Sequence, residues 1–344
     1  MIGMEKKAFM QALRRGLARL PEEERLRALA FYEEAIDDRM EDGMTEAEAV
    51  AAMGSPEDIV REALGQAEAE PRPAGRAPGK DVRLWSCAAE GIREVTLAEL
   101  NRDVKVLPAA QGDLRLEYEE APDEDMEISA EDGALRIRRR GRERLCWAWR
   151  RHKAATVLRL PEGLAANLTA IAENGDVCAE GLSLAGSATL RTKNGDVCAK
   201  RLAAGNALLA SLNGDVELKA ARVGAAVLSD KNGDISAEDV RCASLRAEDA
   251  KGDVELKDVA VEGDVFARTT MGDVAFDRLS AGARIELHSM MGDVAGTFLG
   301  PRSRYAVSAA TKLGDIDLPR HTDGEVPLVL STEMGDIHIG FEDE

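Results

Sequence analysis

The chain has 344 residues and a formal net charge of −19, with a sequence pI near 4.8. An acidic balance of that size opposes nucleic acid as the main partner. Aromatic residues make up only 3% of the chain and five cysteines form no C-x-x-C pair, so an aromatic-lined pocket and a paired-cysteine site are both without support. No apolar run approaches the roughly 18 residues of a membrane span, and the amino terminus lacks the apolar stretch of a signal peptide, so the expected location is the cytoplasm.

Residues 1–68 read as a small all-α bundle. Phe9, Leu13, Leu17 and Leu20 space out one apolar stripe, and Leu26, Leu29, Ile36 and Met40 a second, opened by the acids Glu22, Glu23 and Glu24 at the positive end of the helix dipole. Thr45-Glu46-Ala47-Glu48 is a capping box, and Ser55-Pro56-Glu57-Asp58 caps a last helix carrying Ile59, Val60, Ala63 and Leu64. With 17 acids against 9 bases in residues 1–70, the bundle is not expected to grip DNA.

Residues 69–82 are a Pro/Gly/Arg linker. Residues 83–165 read as irregular strands that cap the amino-terminal end of a β-repeat region, with Gly112-Asp113-Leu114 and Asp132-Gly133-Ala134 as degenerate copies of its unit. Within them lies a basic outlier: Arg138, Arg139, Arg140, Arg142, Arg144, Arg150 and Arg151 surround Trp147 and Trp149. It reads either as a solvated loop packed on the cap or as a patch for an acidic partner or anionic lipid headgroups.

From residue 166 to 344 one unit recurs, x-Gly-Asp-Val/Ile. Its turns fall at Gly175-Asp176, Gly195-Asp196, Gly214-Asp215, Gly233-Asp234, Gly252-Asp253, Gly272-Asp273, Gly292-Asp293, Gly314-Asp315 and Gly335-Asp336. Apolar residues alternate on both sides of each turn, which means two short strands per unit with one buried face each. Asn-Gly also suits a tight hairpin, but that turn needs positive φ at both residues. The later units put Met271, Met291, Leu313 and Met334 where the Asn stood. A regular period of 19–22 residues with one constant glycine predicts a mainly β protein, a parallel β-solenoid of about nine rungs. Each aspartate is expected to accept N–H bonds at its own corner rather than to bind metal. Cys178 and Cys198 share a column on adjacent rungs and are expected as thiols.

Two resemblances rest on these residues. Leu20, Tyr32-Glu33-Glu34 and Met53-Gly54-Ser55-Pro56-Glu57-Asp58-Ile59 resemble the HAAS signalling-domain family, an N-terminal module of Gram-positive proteins often encoded beside PadR-type regulators. The Gly-Asp-Val repeats, entered through Leu160-Pro161, resemble the bacterial putative-adhesin β-repeat family. Together they imply a non-enzymatic interaction or scaffold protein of envelope-stress or regulatory signalling. The partners implied are a protein (a PadR-type regulator or a membrane signalling protein) and, peripherally, an anionic membrane. A surface adhesin or a glycan-binding β-helix protein is the alternative. No phosphate loop, dinucleotide fingerprint, H-E-x-x-H or nucleophile elbow is present, His152, His288, His321 and His338 are scattered, and no cofactor is expected.

Overall fold

The computed structural model describes residues 5–20, 22–41, 44–67, 82–110, 112–120, 124–141, 155–318 and 323–342. They form two compact units, each with its own apolar core.

The first unit holds helices α1 (Lys6–Gly16), α2 (Glu22–Glu41), α3 (Glu46–Ala51) and α4 (Pro56–Ala67). The predicted capping box is present: Thr45 Oγ1 accepts from Glu48 N–H, and the Glu48 carboxylate accepts from Thr45 N–H at 3.0 Å. Phe9, Leu13, Leu17, Tyr32, Ile36, Val50, Met53 and Ile59 fill its centre. The stripe of α2 runs through Ala28, Leu29, Tyr32 and Ile36; Leu26 and Met40, expected inside it, stand exposed at its two ends.

The second unit is a parallel β-solenoid. Valine or isoleucine after each Gly-Asp turn stacks in one column, Val177↔Val197↔Val216↔Ile235↔Val254↔Val274↔Val294↔Ile337. Within one rung the alternation of buried residues slips phase twice. Val216 and Leu218 point inward, then Ala221 and Val223, then Ala226 and Leu228, so each rung has three short faces. Small aliphatic side chains suit that narrow interior, where opposing faces leave little room. Corners without a sequence signature separate the first two faces: Arg201, Ala220, Asp239, Asp258 and Arg278 all take φ between 51° and 55°. A left-handed non-glycine residue costs about 1–2 kcal/mol, so stacking must hold these corners open.

The Gly-Asp corner is held by its neighbours rather than by itself. Each aspartate Oδ1 accepts the N–H of the aspartate one rung further on, as Asp196 N–H to Asp176 at 3.0 Å and Asp234 N–H to Asp215 at 3.0 Å. This differs from the expected local capping: the carboxylate reaches across the strand spacing instead. Glycine is needed because a Cβ on Gly195 would lie 2.5 Å from the Gly175 carbonyl oxygen, in a backbone with φ 144°.

Both ends depart from sequential order. At the far end, Arg284–Met291 pairs with Val326–Met334, which then pairs with Tyr305–Leu313, so the last repeat inserts before the one preceding it. At the near end, residues read as an irregular cap build regular rungs. Glu94–Glu99 and Val104–Pro108 stack on Asn167–Asn174 and Val177–Glu180, while Ala134–Gly141 and Thr156–Leu160 stack outside them. Asp113–Glu119 and Val82–Ala88 pair antiparallel at this end, and these contribute to the cap. The hidden repeat is therefore Asn101-Arg102-Asp103-Val104, not Gly112-Asp113-Leu114, which opens an antiparallel strand. Asp132-Gly133 is a turn with both residues at positive φ. Cys178 and Cys198, expected as thiols, form a disulfide between directly paired residues of adjacent rungs.

One column inside the corners carries a local conflict. Thr192, Ser211, Thr269 and Ser289 each donate a hydroxyl to a glycine carbonyl, as Thr192 to Gly175 at 2.8 Å. On two adjacent rungs the same column holds Asp230 and Asp249, both buried. Among the described residues the Asp230 oxygens have no hydrogen-bond partner of good geometry, and burial pushes its carboxyl up to about 6, opposed by the nearby backbone N–H groups of Lys231 and Asn232 and reinforced by the neighbouring Asp249. The folded state thus holds this proton at a pH where an unfolded aspartate, near 3.8, has lost it. Its contribution to stability is complete below pH 4 and is lost as pH rises through about 6. Asp230→Thr, which restores a hydroxyl donor, is expected to raise stability at pH 7 by about 1–2 kcal/mol. The gain should shrink towards pH 4; urea unfolding at pH 7 and pH 4.5 measures it.

Candidate functional site

Three parts of the chain are candidates for function: the basic segment, the edge formed by the Gly-Asp corners, and the outside of the helical unit.

The basic segment lies in sequence between two described strands: Ala134–Gly141 pairs with Glu94–Glu99, and Thr156–Leu160 pairs with Val104–Pro108. Arg142, Arg144, Trp147, Trp149, Arg150 and Arg151 lie outside the described residues, as does most of the linker. Arg138 is exposed, and Arg140 is exposed and ion-paired to Glu127 at 2.9 Å. Arg139 corrects the sequence reading. It is 2% exposed and its Nε donates to Glu99 at 2.7 Å, so it belongs to the interior and offers nothing to a partner. Strand alternation explains this, because in Ala134–Gly141 the side chain of Arg139 shares the inward face with Leu135 and Ile137.

Arg139 is part of a buried network that the sequence did not reveal. Arg102 stands where later corners have glycine, and is 1% exposed. Its Nη2 donates to Glu124 at 3.0 Å and its Nη1 to the Glu119 carbonyl at 2.6 Å. Glu99 also accepts the Thr156 hydroxyl. Burial lowers the Arg102 pKa, as does the adjacent Arg139 charge, and Glu124 and Glu99 oppose the shift. Two guanidiniums and two carboxylates thus balance inside the terminal rungs. Asn101 and Asp103, spaced like Asn174 and Asp176, were the available signal, masked by the arginine between them.

The Gly-Asp edge changes character along the rod. Over the first rungs the residue before glycine is asparagine, and amides bond in series: Asn174 to Asn101, Asn194 to Asn174, Asn213 to Asn194 and Asn232 to Asn213, all at 2.7–2.8 Å. Beyond Lys251 the same column becomes Met271, Met291, Met334 and Leu313 in direct register, and Leu313 is 68% exposed. Every Gly-Asp pair named from the sequence lies along this edge, and the carboxylates of Asp103 through Asp336 serve the ladder. Among the described residues no group of three or more His, Cys, Asp or Glu side chains is placed to hold a metal ion. On the helical unit, Leu26, Met40 and Met44 are exposed, with Leu26 at 57%.

Comparison with known proteins separates the two units in the same way. Residues 92–305 match the family model described as Toastrack DUF4097, and residues 8–62 match the HAAS model. Solved structures similar to the chain include two whose names speak of adhesion. One, titled a "putative adhesin" from Bacteroides fragilis, is 13% identical, with 77% of this chain and 100% of that chain covered and a TM-score of 0.32. The other, titled a "putative cell adhesion protein" from Clostridium sporogenes, is 9% identical, with 76% and 99% covered and a TM-score of 0.21. No curated protein matches the chain.

Two substitutions test the roles of these charged residues. Arg139→Ala leaves Glu99 buried without its cation, and is expected to cost about 3–5 kcal/mol in chemical unfolding. Asp215→Ala removes one acceptor from an exposed ladder and leaves the Asp234 N–H without it. It is expected to cost about 1 kcal/mol, with melting temperatures equal in calcium and in chelator.

Proposed function

Because the chain belongs to the Toastrack DUF4097 family and carries a HAAS domain ahead of its rod, we propose that it is a non-enzymatic interaction protein of bacterial envelope-stress or regulatory signalling. In this reading the helical unit engages a partner, a PadR-type regulator or a membrane signalling protein, and the rod is the rigid scaffold. The observation that carries it is the exposure of Leu26, Met40 and Met44 on a helical unit whose other large apolar residues, among those whose side chains are described, are buried in a core of its own or packed against it. Large apolar side chains left in water beside a complete core are what a protein contact covers. Both domain types generally mediate protein–protein contact.

The location proposed is cytoplasmic, with peripheral contact to anionic membrane through Arg138, Arg140 and the basic segment beyond them. Among the described residues no helix is long and apolar enough to cross a membrane. A second reading, display at the cell surface as an adhesin, is favoured by one observation: the Cys178–Cys198 disulfide, a bond that persists in oxidising compartments. Alkylation of cells before and after reduction separates the two, since a cytoplasmic protein should yield both thiols without reductant.

The test of the interaction is a pull-down from lysate with the full chain as bait. Leu26→Arg is expected to lose a partner that the parent chain retains, with an unchanged melting temperature because Leu26 lies outside the core. Retention by both proteins, or by neither, counts against the helical unit as the contact.

A further inference from the structure

The second face of each rung, the short one that follows the left-handed corner, has a column of outward residues that runs unbroken across six rungs. In register it reads Ser183, Ala203, Arg222, Arg241, Ala260, Ser280. Four small residues flank two long cations at its centre. Six strands at about 4.8 Å spacing make a lane about 24 Å long. The two guanidiniums are direct neighbours on adjacent parallel strands, where like charges destabilise the pair. Both side chains are exposed, and among the described residues neither has an ion-pair or hydrogen-bond partner. By contrast, Arg201 pairs with Glu180 and Arg278 with Asp258 at the same face.

Because their neighbours are short, the two arginines rise from a depression rather than a flat sheet. A cleft of about 520 Å³ is lined by Arg222, Arg241, Cys242, Ala260 and Glu262, and one of about 500 Å³ by Arg201, Ala203, Ala220, Arg222, Asp239 and Arg241. A third, of about 220 Å³, continues past Arg241 to Asp258, Arg278 and Ser280. Arg241 lines all three, so they form one lane with the two arginines in its middle and the carboxylates of Asp239 and Glu262 beside them.

We infer that this lane binds an extended acidic polysaccharide, with Arg222 and Arg241 as a double guanidinium clamp for its anionic groups. Each guanidinium offers a planar fork that matches a carboxylate or phosphate in two parallel hydrogen bonds. Asp239 and Glu262, which have no cation of their own at the lane, accept hydrogen bonds from hydroxyls. Anion-directed forks beside hydroxyl acceptors suit a ligand that carries both groups, which is what an acidic sugar chain does. The lane is open along the rod, so it accommodates a polymer rather than a single small ion. No aromatic residue lines any of the three depressions, and base stacking therefore has no platform, which weighs against a nucleic acid. The inference goes beyond the proposed interaction role and stands whether or not the helical unit binds a partner.

Affinity electrophoresis of the full chain through gels containing polygalacturonate tests it, with neutral dextran and a phosphodiester polymer, polyribitol phosphate, as parallel gels. Retardation by polygalacturonate or polyribitol phosphate but not by dextran, weakened by salt, is expected; which of the two retards more identifies the anionic group. Arg222→Ala/Arg241→Ala should weaken retardation at least tenfold while leaving the circular dichroism spectrum and melting temperature unchanged, since both side chains are exposed. Arg222→Lys/Arg241→Lys keeps the charge without the forks and should weaken it several-fold. Binding that survives in the double alanine variant would place the polyanion on the basic segment around Arg138 to Arg151 and overturn the inference, as would retardation by dextran or by none of the three polymers.

Discussion

The interaction on which the rod depends is the close stacking of one corner on the next. At each Gly-Asp turn the carbonyl of the glycine below sits where a Cβ would otherwise be, and the aspartate carboxylate reaches the N–H of the aspartate in the next rung. Both contacts run along the rod axis, so no corner is complete by itself. That is why the glycine and aspartate recur where almost every other position drifts, and why the spacing is held near 20 residues. The asparagine amides add a second series of axial bonds, and the threonine and serine hydroxyls a third. Asp230 and Asp249 break the third series, which marks the middle of the rod as its weakest stretch at neutral pH.

Such an architecture must be closed at two ends, and the chain does it by different chemistry at each. At the near end the axial bonds continue to Asn101 and Asp103 and buried charge is added to them: Arg102 fills a glycine position, and its guanidinium and that of Arg139 are balanced by Glu99 and Glu124. At the far end the interior is plugged by aromatic rings. Phe298 packs against Phe276 at 4.4 Å between centroids and against Tyr305 at 5.4 Å, and Tyr305 donates to the Leu299 carbonyl at 2.7 Å. A chain with few aromatics spends several of them there, because the terminal rungs lack a neighbour to pack on. Rearranged strand order marks both ends: the outermost far-end strand, Tyr305–Leu313, lies behind one that is further along the chain, and the outermost near-end rung behind one that is earlier.

The faces left over are what the molecule has for function. The Gly-Asp edge is occupied by its own ladder, so its carboxylates are not available as a binding array. Among the described residues, the surfaces that remain on the rod are chemically distinct: a short face with two arginines that make no ion pair, in a lane of small residues, and an exposed column of methionines with Leu313 at its end. The helical unit adds an exposed leucine and two methionines.

Much of the architecture was legible in the residue order, because a period-two pattern interrupted by one glycine every 19–22 residues has few solutions that bury its apolar side. The helical unit was legible for the same kind of reason: its caps and its 3.6-residue spacing are local. What the sequence could not carry was anything decided by an axial neighbour tens of residues away. Arg102 looked unlike a repeat corner, and only its register with Gly175 shows that it is one. Arg139 looked like part of a basic patch, because seven arginines adjoin; the inward phase of its strand, set by pairing with Glu94–Glu99, buries it. Cys178 and Cys198 were placed side by side by the repeat itself, yet their bond depends on how closely two rungs approach. The order of the last two rungs left only a trace, in steps of 22 and 21 residues. The reason is common to all of these: local propensity and periodicity specify a rung, whereas the contacts that join rungs are made between residues that the chain brings together only after it has wound.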